Sequence, residues 1–205
     1  MGTLRLASPV IHRADAIRDT AAMSTRIPRP DDSPELRLRL RPWSDADLPL
    51  LRAVNTPSMT EHLGGPETEQ QVVDRHRRYL DAAVTGTAQM FVVEEREPAV
   101  AVGTIGYWER RWDEEDVYET GWHVLPAFQG RGYATAAARL VAEHAGEHGS
   151  RTALHAYPPA GNPASNAVCR KAGFRLVGTR DFEYPPGQSL WVNDWRLDLR
   201  DVTGR

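Results

Sequence analysis

The stretch that joins one predicted strand to one predicted helix constrains the fold more than any other part of the chain. Val117 to Val124 has the residues typical of a strand, and Pro126 ends that run. Ala134 to His148 is rich in alanine and carries apolar residues at helical spacing, which predicts a helix. Gly130 and Gly132 lie between the two. The chain is therefore predicted to pass from a strand through a tight glycine loop into a helix, a connection typical of α/β folds.

The remaining predicted elements complete an α/β pattern. Alternating Leu and Arg from Leu36 to Arg41 indicate a strand with one buried face. Asn162, Pro163 and Gly173 are typical cap residues of a short helix. Further strands are predicted at 89–94, 100–107, 152–157, 174–182 and 190–199, and helices at 44–54, 68–84 and 163–172. This order predicts helices packed on a mixed sheet, with the charged residues 109–116 forming a loop.

The chain is predicted to consist of one domain preceded by an arm. Residues 1–34 are rich in proline and charged residues and have no sustained apolar periodicity, so we expect a disordered arm there. Residues 35–205 show no internal repeat and no shift in composition that would mark a second domain. Their length suits a single hydrophobic core.

Composition argues against several classes of partner. The chain has 25 basic and 28 acidic residues and a net charge of −3, so no global attraction to nucleic acid or to an anionic membrane is expected. No apolar run approaches the roughly 20 residues of a membrane span. Cys169 is the only cysteine, which excludes an intramolecular disulfide and a cysteine-rich zinc site. A reducing, cytoplasmic setting is expected.

The glycine loop has the chemistry of an anion site. The start of a helix presents unpaired backbone N–H groups and a partial positive charge, which together can hold a phosphate. Gly130 and Gly132 would let a ligand approach the backbone, and Arg131 can add a charge-assisted hydrogen bond. The pattern lacks the lysine of a nucleoside-triphosphate loop and the third glycine of a dinucleotide fingerprint. A tight turn with no ligand would contain the same two glycines.

Two blocks of sequence resemble the GNAT acetyltransferase superfamily. The first, Gln129-Gly-Arg-Gly-Tyr-Ala134, is similar to that family's acyl-CoA signature. The second, Asn162-Pro-Ala-Ser165 followed by Lys171-Ala-Gly-Phe174, is similar to a later helix and strand. The resemblance extends from about Leu36 to Leu199 and is strongest to the branch that contains the ribosomal-protein N-terminal acetyltransferases. It implies a mixed, mostly antiparallel sheet of about seven strands, flanked by about four helices and splayed at the acyl-CoA site.

The resemblance also implies which residues bind acetyl-CoA. Backbone groups of His123 and Val124 would contact the pantetheine arm, and Asn162 would reach the pantetheine or the thioester. Successive backbone amides would hold the pyrophosphate, those of Gln129, Gly130, Arg131, Gly132, Tyr133, Ala134 and Thr135. Asn162 could equally serve only as a helix cap.

Acetyl transfer to an amine needs a base, because most amines are protonated at pH 7. Glu119 is the predicted base, since its strand leads into the cofactor loop, although a solvated or ion-paired side chain would suit the same position. His123 has a suitable ordinary pKa but lies where a structural role is expected. Two residues depart from the resemblance: Val177 replaces a glutamate, and Cys169 replaces the tyrosine that acts as thiol acid in many relatives. Ser165 is the predicted substitute acid.

The acceptor is predicted to be a primary amine: a small amine, an amino-sugar or a protein N-terminus. A set of aromatic and acidic side chains could attract a cationic amine. The aromatic residues could equally be core residues, and the acidic residues a solvated loop. The set consists of Trp108, Trp112, Tyr118, Trp122, Phe182, Tyr184, Trp191 and residues 113–116. The predicted reaction is direct transfer in a ternary complex, without a covalent intermediate or a metal. A catalytically silent CoA-binding regulatory or interaction module and a longer acyl donor remain alternatives, as do a monomer and a homodimer.

Overall fold

Seven strands form one sheet in the computed structural model, which describes residues 37–183, 187 and 189–203. The strands are β1 Leu38–Pro42, β2 Ala88–Arg96, β3 Ala99–Trp112, β4 Glu115–Val124, β5 Ala153–Ala156, β6 Arg175–Glu183 and β7 Ser189–Asp198. The arm predicted at 1–34 lies outside the described residues, as does Tyr184.

The sheet is mixed because one pair of neighbouring strands is parallel. The strand order is β1-β2-β3-β4-β5-β7-β6, in which β4 and β5 run parallel and all other neighbours run antiparallel. This confirms the predicted fold class. β3 and β4 pair along their length, whereas β4 and β5 pair only at Tyr118–Leu154 and Glu119–His155. Beyond Glu119, β4 therefore continues to Val124 beside β3 alone.

Six α-helices lie in the described residues, and four of them match predicted helices. In chain order they are α1 Leu48–Val54, α2 Pro57–Thr60, α3 Glu69–Thr85, α4 Tyr133–His148, α5 Pro163–Ala172 and α6 Leu199–Thr203. The short α2 and α6 were not predicted, because four or five residues are too few to show helical periodicity. Within the described ranges, no helix has both the length and the apolar character needed to cross a membrane.

Helices cover both faces of the sheet. One face packs against α4 through a large core that includes Phe91, Ile105, Tyr107, Tyr118 and Val141. The opposite face carries α1 and α3 over a smaller core that includes Trp43, Leu51, Val72, Met90 and Val92. Because side chains alternate along a strand, Tyr118 faces α4 while Glu119 and Trp108 lie on the face of α1 and α3.

The charged stretch 109–116 is mostly strand, which corrects the predicted loop. β3 extends to Trp112 and β4 begins at Glu115. Only Asp113 and Glu114 form the turn, with φ of 43° and 67°. Exposed and half-buried side chains alternate along β3 through this stretch. This strand was not recognised from the sequence, because most residues of its half-buried and exposed faces are charged.

Candidate active site

A gap between β4 and β5 forms the centre of the candidate site. Glu119 and His155 are the last paired residues before the two strands separate. The segment after β5 follows β7 instead, since the carbonyl of Pro158 accepts a hydrogen bond from the backbone N–H of Asn193 at 2.9 Å. The second half of β4 is thus paired with β3 on one side and borders the gap on the other.

Backbone groups of alternate β4 residues face this gap. The N–H of Leu125 donates to the carbonyl of Val102 at 2.9 Å, and a Cβ atom at Gly103 would collide with the carbonyl oxygen of His123. Leu125 and His123 therefore direct their backbone groups towards β3. In an antiparallel pair the intervening residues point the other way, so Trp122 and Val124 direct theirs towards the gap.

The glycine loop lies at the far end of β4. Gly130 and Gly132 have φ of 73° and 85°, a conformation that glycine adopts at little cost. Gly132 is the N-cap of α4 and supplies no side-chain cap. The first helical bond runs from the N–H of Ala136 to the carbonyl of Gly132, so the amides of residues 133–135 have no acceptor within the helix. These are among the amides that are predicted from the sequence to bind the pyrophosphate.

Side chains fix the loop from its base. The amide of Gln129 donates to the carbonyl of Val124 at 2.9 Å, which ties the loop to the end of β4. The hydroxyl of Tyr133 donates to Glu95, and its buried ring packs near Phe128. Tyr133 therefore offers only its backbone to a ligand. Arg131 is exposed, with its guanidinium carbon 5.7 Å from the centre of the Phe128 ring, and places a positive charge beside the loop.

The start of α5 borders the segment that leaves β5. The side chain of Asn162 accepts a hydrogen bond from the N–H of Ser165 at 3.0 Å, so Asn162 is a helix cap, as one of its predicted roles requires. Asn166 was not singled out in the sequence. Its amide donates to the carbonyls of Pro159 and Asn162 at 2.9 and 2.7 Å. Asn166 thereby holds the departing segment against α5.

Glu119 is a buried, ion-paired carboxylate at the start of the gap. Its side chain is 13% exposed, and its Oε2 lies 2.6 Å from Nη1 of Arg110 on the neighbouring strand. Burial is the main influence on its pKa and raises it above the ordinary value, although Arg110 and Trp108 act in the opposite direction. A carboxyl with a raised pKa is better matched to accepting a proton from an ammonium group.

Three aromatic rings surround Arg110. Its guanidinium carbon lies 5.1, 5.3 and 4.6 Å from the ring centres of Trp112, Tyr157 and Phe182. Trp112 and Phe182 belong to the aromatic set that the sequence offers as a possible site for a cationic acceptor, but the cation that they contact here is the protein's own arginine. Tyr118 lies in the core on the α4 face, while Trp191 is 64% exposed.

A buried histidine–aspartate pair lies behind the rings. Nδ1 of His155 is 2.7 Å from Oδ1 of Asp194, and Nε1 of Trp112 donates to Oδ2 of the same carboxylate at 3.0 Å. Burial acts to raise the pKa of Asp194, but the bonds from His155 and Trp112 outweigh it and lower the pKa. Asp194 is therefore an ionised anchor for both rings.

Two other ionisable groups near the site are held neutral. Burial lowers the pKa of His123 to about 4, and Arg75 acts in the same direction. Burial raises the pKa of the Cys169 thiol to about 12, within the core under α4. His123 is a poor general base at this pKa, and Cys169 is a poor nucleophile. In the part of the chain that is described, no three His, Cys, Asp or Glu side chains are arranged to hold a metal ion.

A family model described as an acetyltransferase (GNAT) domain matches residues 37–175. The chain belongs to the GNAT acetyltransferase family. The match spans the sheet from β1 to β5, the glycine loop, α4 and α5. The protein is accordingly an acyltransferase.

Solved GNAT structures have the same fold at low sequence identity. An acetyltransferase that modifies the N-terminal serine of ribosomal protein L7/L12 from Salmonella typhimurium is 19% identical, with a TM-score of 0.65 over 79% of this chain and 95% of that one. Spermidine N-acetyltransferase from Vibrio cholerae, in complex with CoA and spermine, is 16% identical, with a TM-score of 0.68 over 81% and 98%. The microcin C7 self-immunity acetyltransferase MccE, in complex with acetyl-CoA and AMP, is also 16% identical, with a TM-score of 0.66 over 79% and 92%. No curated protein matches the chain by sequence.

The structure brings most of the predicted site residues of this GNAT protein to one region. The loop residues from Gln129 to Thr135 end the gap, and Glu119 begins it. Asn162 and Ser165 lie at the start of α5, which packs beside α4. Sequence reasoning missed Arg110 and Tyr157, and it did not foresee that Trp112 and Phe182 contact Arg110, because these residues come together only through the pairing of distant strands.

Proposed function

We propose that this GNAT protein transfers an acetyl group from acetyl-CoA to a primary amine by direct attack within a ternary complex. One arrangement carries the proposal: a gap in the sheet with a buried carboxylate at its closed end and a loop of helix-starting amides at its open end. The carboxylate suits proton removal from an amine, and the amides suit a pyrophosphate.

The residues along the gap fit CoA. Backbone groups of Trp122 and Val124 would hydrogen-bond the pantetheine arm, in place of His123, whose carbonyl faces β3. The loop from Gln129 to Gly132 and the amides of residues 133–135 would hold the pyrophosphate, with Arg131 adding a charge-assisted bond. Asn162 would lie beside the pantetheine and offer its backbone, because its side chain caps α5.

The reaction follows from the placement of Glu119. An acceptor ammonium transfers a proton to the Glu119 carboxylate, and the neutral nitrogen then attacks the thioester carbonyl carbon. The new C–N bond forms, the C–S bond breaks, and the thiolate of CoA leaves. The nitrogen loses its second proton, and this proton reaches the thiolate; Ser165, on the first turn of α5, is our candidate for relaying it, so that its hydroxyl is restored.

Cys169 supports direct transfer. A covalent route would need a nucleophile that attacks the thioester before the amine does. The Cys169 thiol is buried in the α4 core and its pKa is raised by burial, so it supplies little thiolate. The amine itself is then the attacking group.

The acceptor class stays within primary amines. The solved relatives include one that modifies a protein N-terminus and one that acetylates spermidine, and the fold alone does not choose between such acceptors. A protein N-terminus, a small amine and an amino-sugar are all compatible with a carboxylate at the start of the gap.

An acetylation assay tests the proposal. Acetyl-CoA is supplied with spermidine, glucosamine or a short peptide that begins with serine, and CoA release is followed together with the mass of the product. We expect the rate to fall in Glu119→Gln by roughly 10²- to 10⁴-fold. We also expect the native rate to fall as the pH drops through the raised pKa of Glu119, because the base must be ionised.

Glu109→Gln is the matched control, since it removes a carboxylate from the adjacent strand that pairs with Arg151 on the surface. It should leave turnover unchanged. Full turnover in Glu119→Gln would refute the assigned base. A chain that binds acetyl-CoA but acetylates none of these amines would favour the silent binding module.

A further inference from the structure

Arg110 and Glu119 form a short side-chain ion pair. Nη1 of Arg110 lies 2.6 Å from Oε2 of Glu119, with the two side chains 30% and 13% exposed. Arg110 belongs to β3 and Glu119 to β4; Glu119 pairs with Trp108, two residues before Arg110, so Arg110 and Glu119 are diagonal neighbours on the same face of the sheet. The contact thus depends on the pairing of two long strands and not on a flexible surface loop.

The guanidinium is held mainly by rings. We call Trp112, Tyr157 and Phe182 the ring cage; their centres lie 4.6–5.3 Å from the guanidinium carbon. Nε of Arg110 is buried and has no hydrogen-bond partner in the described part of the chain. Stacking and the bond to Glu119 therefore fix its position. An arginine side chain that contacted only solvent would not be held in one position.

The ring cage is itself anchored to the buried pair behind it. Asp194 accepts a hydrogen bond from the indole of Trp112 at 3.0 Å. His155 bonds to the same carboxylate at 2.7 Å and stacks with Tyr157, with 5.7 Å between ring centres and an angle of 27°. A continuous set of contacts leads from Asp194, through the rings and Arg110, to Glu119.

We propose that Arg110 is a positioning residue, which the ring cage immobilises so that it fixes the orientation of the Glu119 carboxylate at the start of the gap. The inference rests on the proposed function, because it concerns the assigned base. Arg110 acts through Glu119 and needs no contact with the acceptor. The three rings already pack against the guanidinium of Arg110, so we do not assign them to a cationic amine.

The arrangement has a consequence for ionisation. The groups that face Glu119 are Arg110 and Trp108 from β3, His155 from β5, and Tyr157 just beyond it; Asp194 lies behind them on β7. Arg110 stabilises the carboxylate and lowers its pKa against the effect of burial. Loss of Arg110 would remove the largest influence that opposes burial, and Glu119 would then ionise only at a higher pH.

A carboxyl titration by NMR tests this without knowledge of the acceptor. The full chain is labelled with ¹³C at the glutamate side-chain carboxyl, and the Glu119 signal is identified by its absence in Glu119→Gln. In Arg110→Met we expect the signal to titrate about one pH unit or more above its native midpoint. In Arg110→Lys we expect a smaller displacement, because the charge is kept while the planar stacking is lost.

Arg111→Met is the matched control. Arg111 is the next residue of β3, but it points to solvent and pairs with the exposed Asp116. This variant should leave the Glu119 midpoint in place. Trp112→Phe keeps a ring but removes the bond to Asp194, and should displace the midpoint in the same direction as Arg110→Met by a smaller amount.

Activity separates this inference from the proposed function. With whichever amine of the panel is acetylated, the acid limb of the pH–rate profile should move to higher pH in Arg110→Met by the same amount as the NMR midpoint. An unchanged midpoint in Arg110→Met overturns the inference while leaving Glu119 as base. If the midpoint is displaced in Arg110→Met but Glu119→Gln keeps full turnover, Arg110 and Glu119 form only a structural ion pair. That result overturns both the inference and the assignment of Glu119 as the base.

Discussion

Burial sets the chemistry of three ionisable side chains around the gap. It raises the pKa of Glu119 and that of Cys169, and it lowers the pKa of His123. Only Glu119 also has a charged partner that keeps the ionised form accessible. Of these three groups, the Glu119 carboxylate is therefore better matched to accepting a proton from an amine than the imidazole or the thiol.

At the scale of single residues, replacement of Cys169 by alanine tests direct transfer. We expect Cys169→Ala to keep kcat/KM within about twofold, because the thiol forms no bond to the acetyl group. The variant should lose about 1 kcal/mol of unfolding free energy, since the smaller side chain leaves space in the core. Steady-state kinetics and urea denaturation measure the two effects.

A covalent acetyl-cysteine route would show the opposite behaviour. Cys169→Ala would then lose nearly all turnover, and the native chain would release a burst of CoA before any amine was added. Glu119→Gln serves as the comparison, because it should lose turnover while retaining the thiol.

At the scale of elements, α5 keeps the gap open by holding the segment that leaves β5. Asn166 on α5 is buried and uses both ends of its amide. It donates to the carbonyls of Pro159 and Asn162, and its oxygen accepts from Asn193 and Trp195 at 2.7 and 2.8 Å. One side chain thus connects α5, the segment after β5, and β7.

Asn166→Leu tests that connection. Leucine has a similar size but cannot form any of the four bonds, so several buried polar groups would lose their partners. We expect the free energy of unfolding to fall by about 2–4 kcal/mol, measured by urea denaturation. Acetyl-CoA should also bind more weakly, because the segment beside the gap would no longer be held.

Asn193→Ala is the control for this variant. It removes one of the bonds to Asn166 and leaves the other three. The loss of stability should be less than half that of Asn166→Leu. Equal losses would mean that Asn166 has no special role in joining these elements.

At the scale of the whole molecule, topology creates the site. The single parallel pair, β4 and β5, is the place where the sheet opens, and the chain uses the free half of β4 to lead into the glycine loop. The ring cage and its anchor lie on the face shared with α1 and α3, whereas the loop continues into α4 on the opposite side. The proposed base and the proposed pyrophosphate-binding loop are therefore supported from different faces of the sheet.

Local features of this arrangement could be predicted from the sequence. The glycines at 130 and 132, the cap at Asn162 and the strand around Glu119 depend on neighbouring residues, and sequence patterns report such neighbours. The contacts of Arg110 could not be predicted, since they need the register of β3 and β4 and a tyrosine that lies beyond β5. The extension of β3 was missed for a related reason, because its charged residues masked the alternation.

The central claim is that the gap ending in the glycine loop binds acetyl-CoA, and a calorimetric titration tests it most directly. Acetyl-CoA is titrated into the native chain, into Gly132→Leu and into Gly86→Leu. Gly132 and Gly86 have φ of 85° and 76°, so both substitutions strain the backbone similarly, but Gly86 ends α3 away from the loop.

We predict that the native chain and Gly86→Leu bind acetyl-CoA alike, and that the Kd of Gly132→Leu rises at least about tenfold, because a side chain would obstruct the helix-starting amides. Pantetheine, which lacks the pyrophosphate, should bind all three proteins weakly. Equal affinity of the three proteins for acetyl-CoA, or no binding by the native chain at millimolar ligand, would contradict the account.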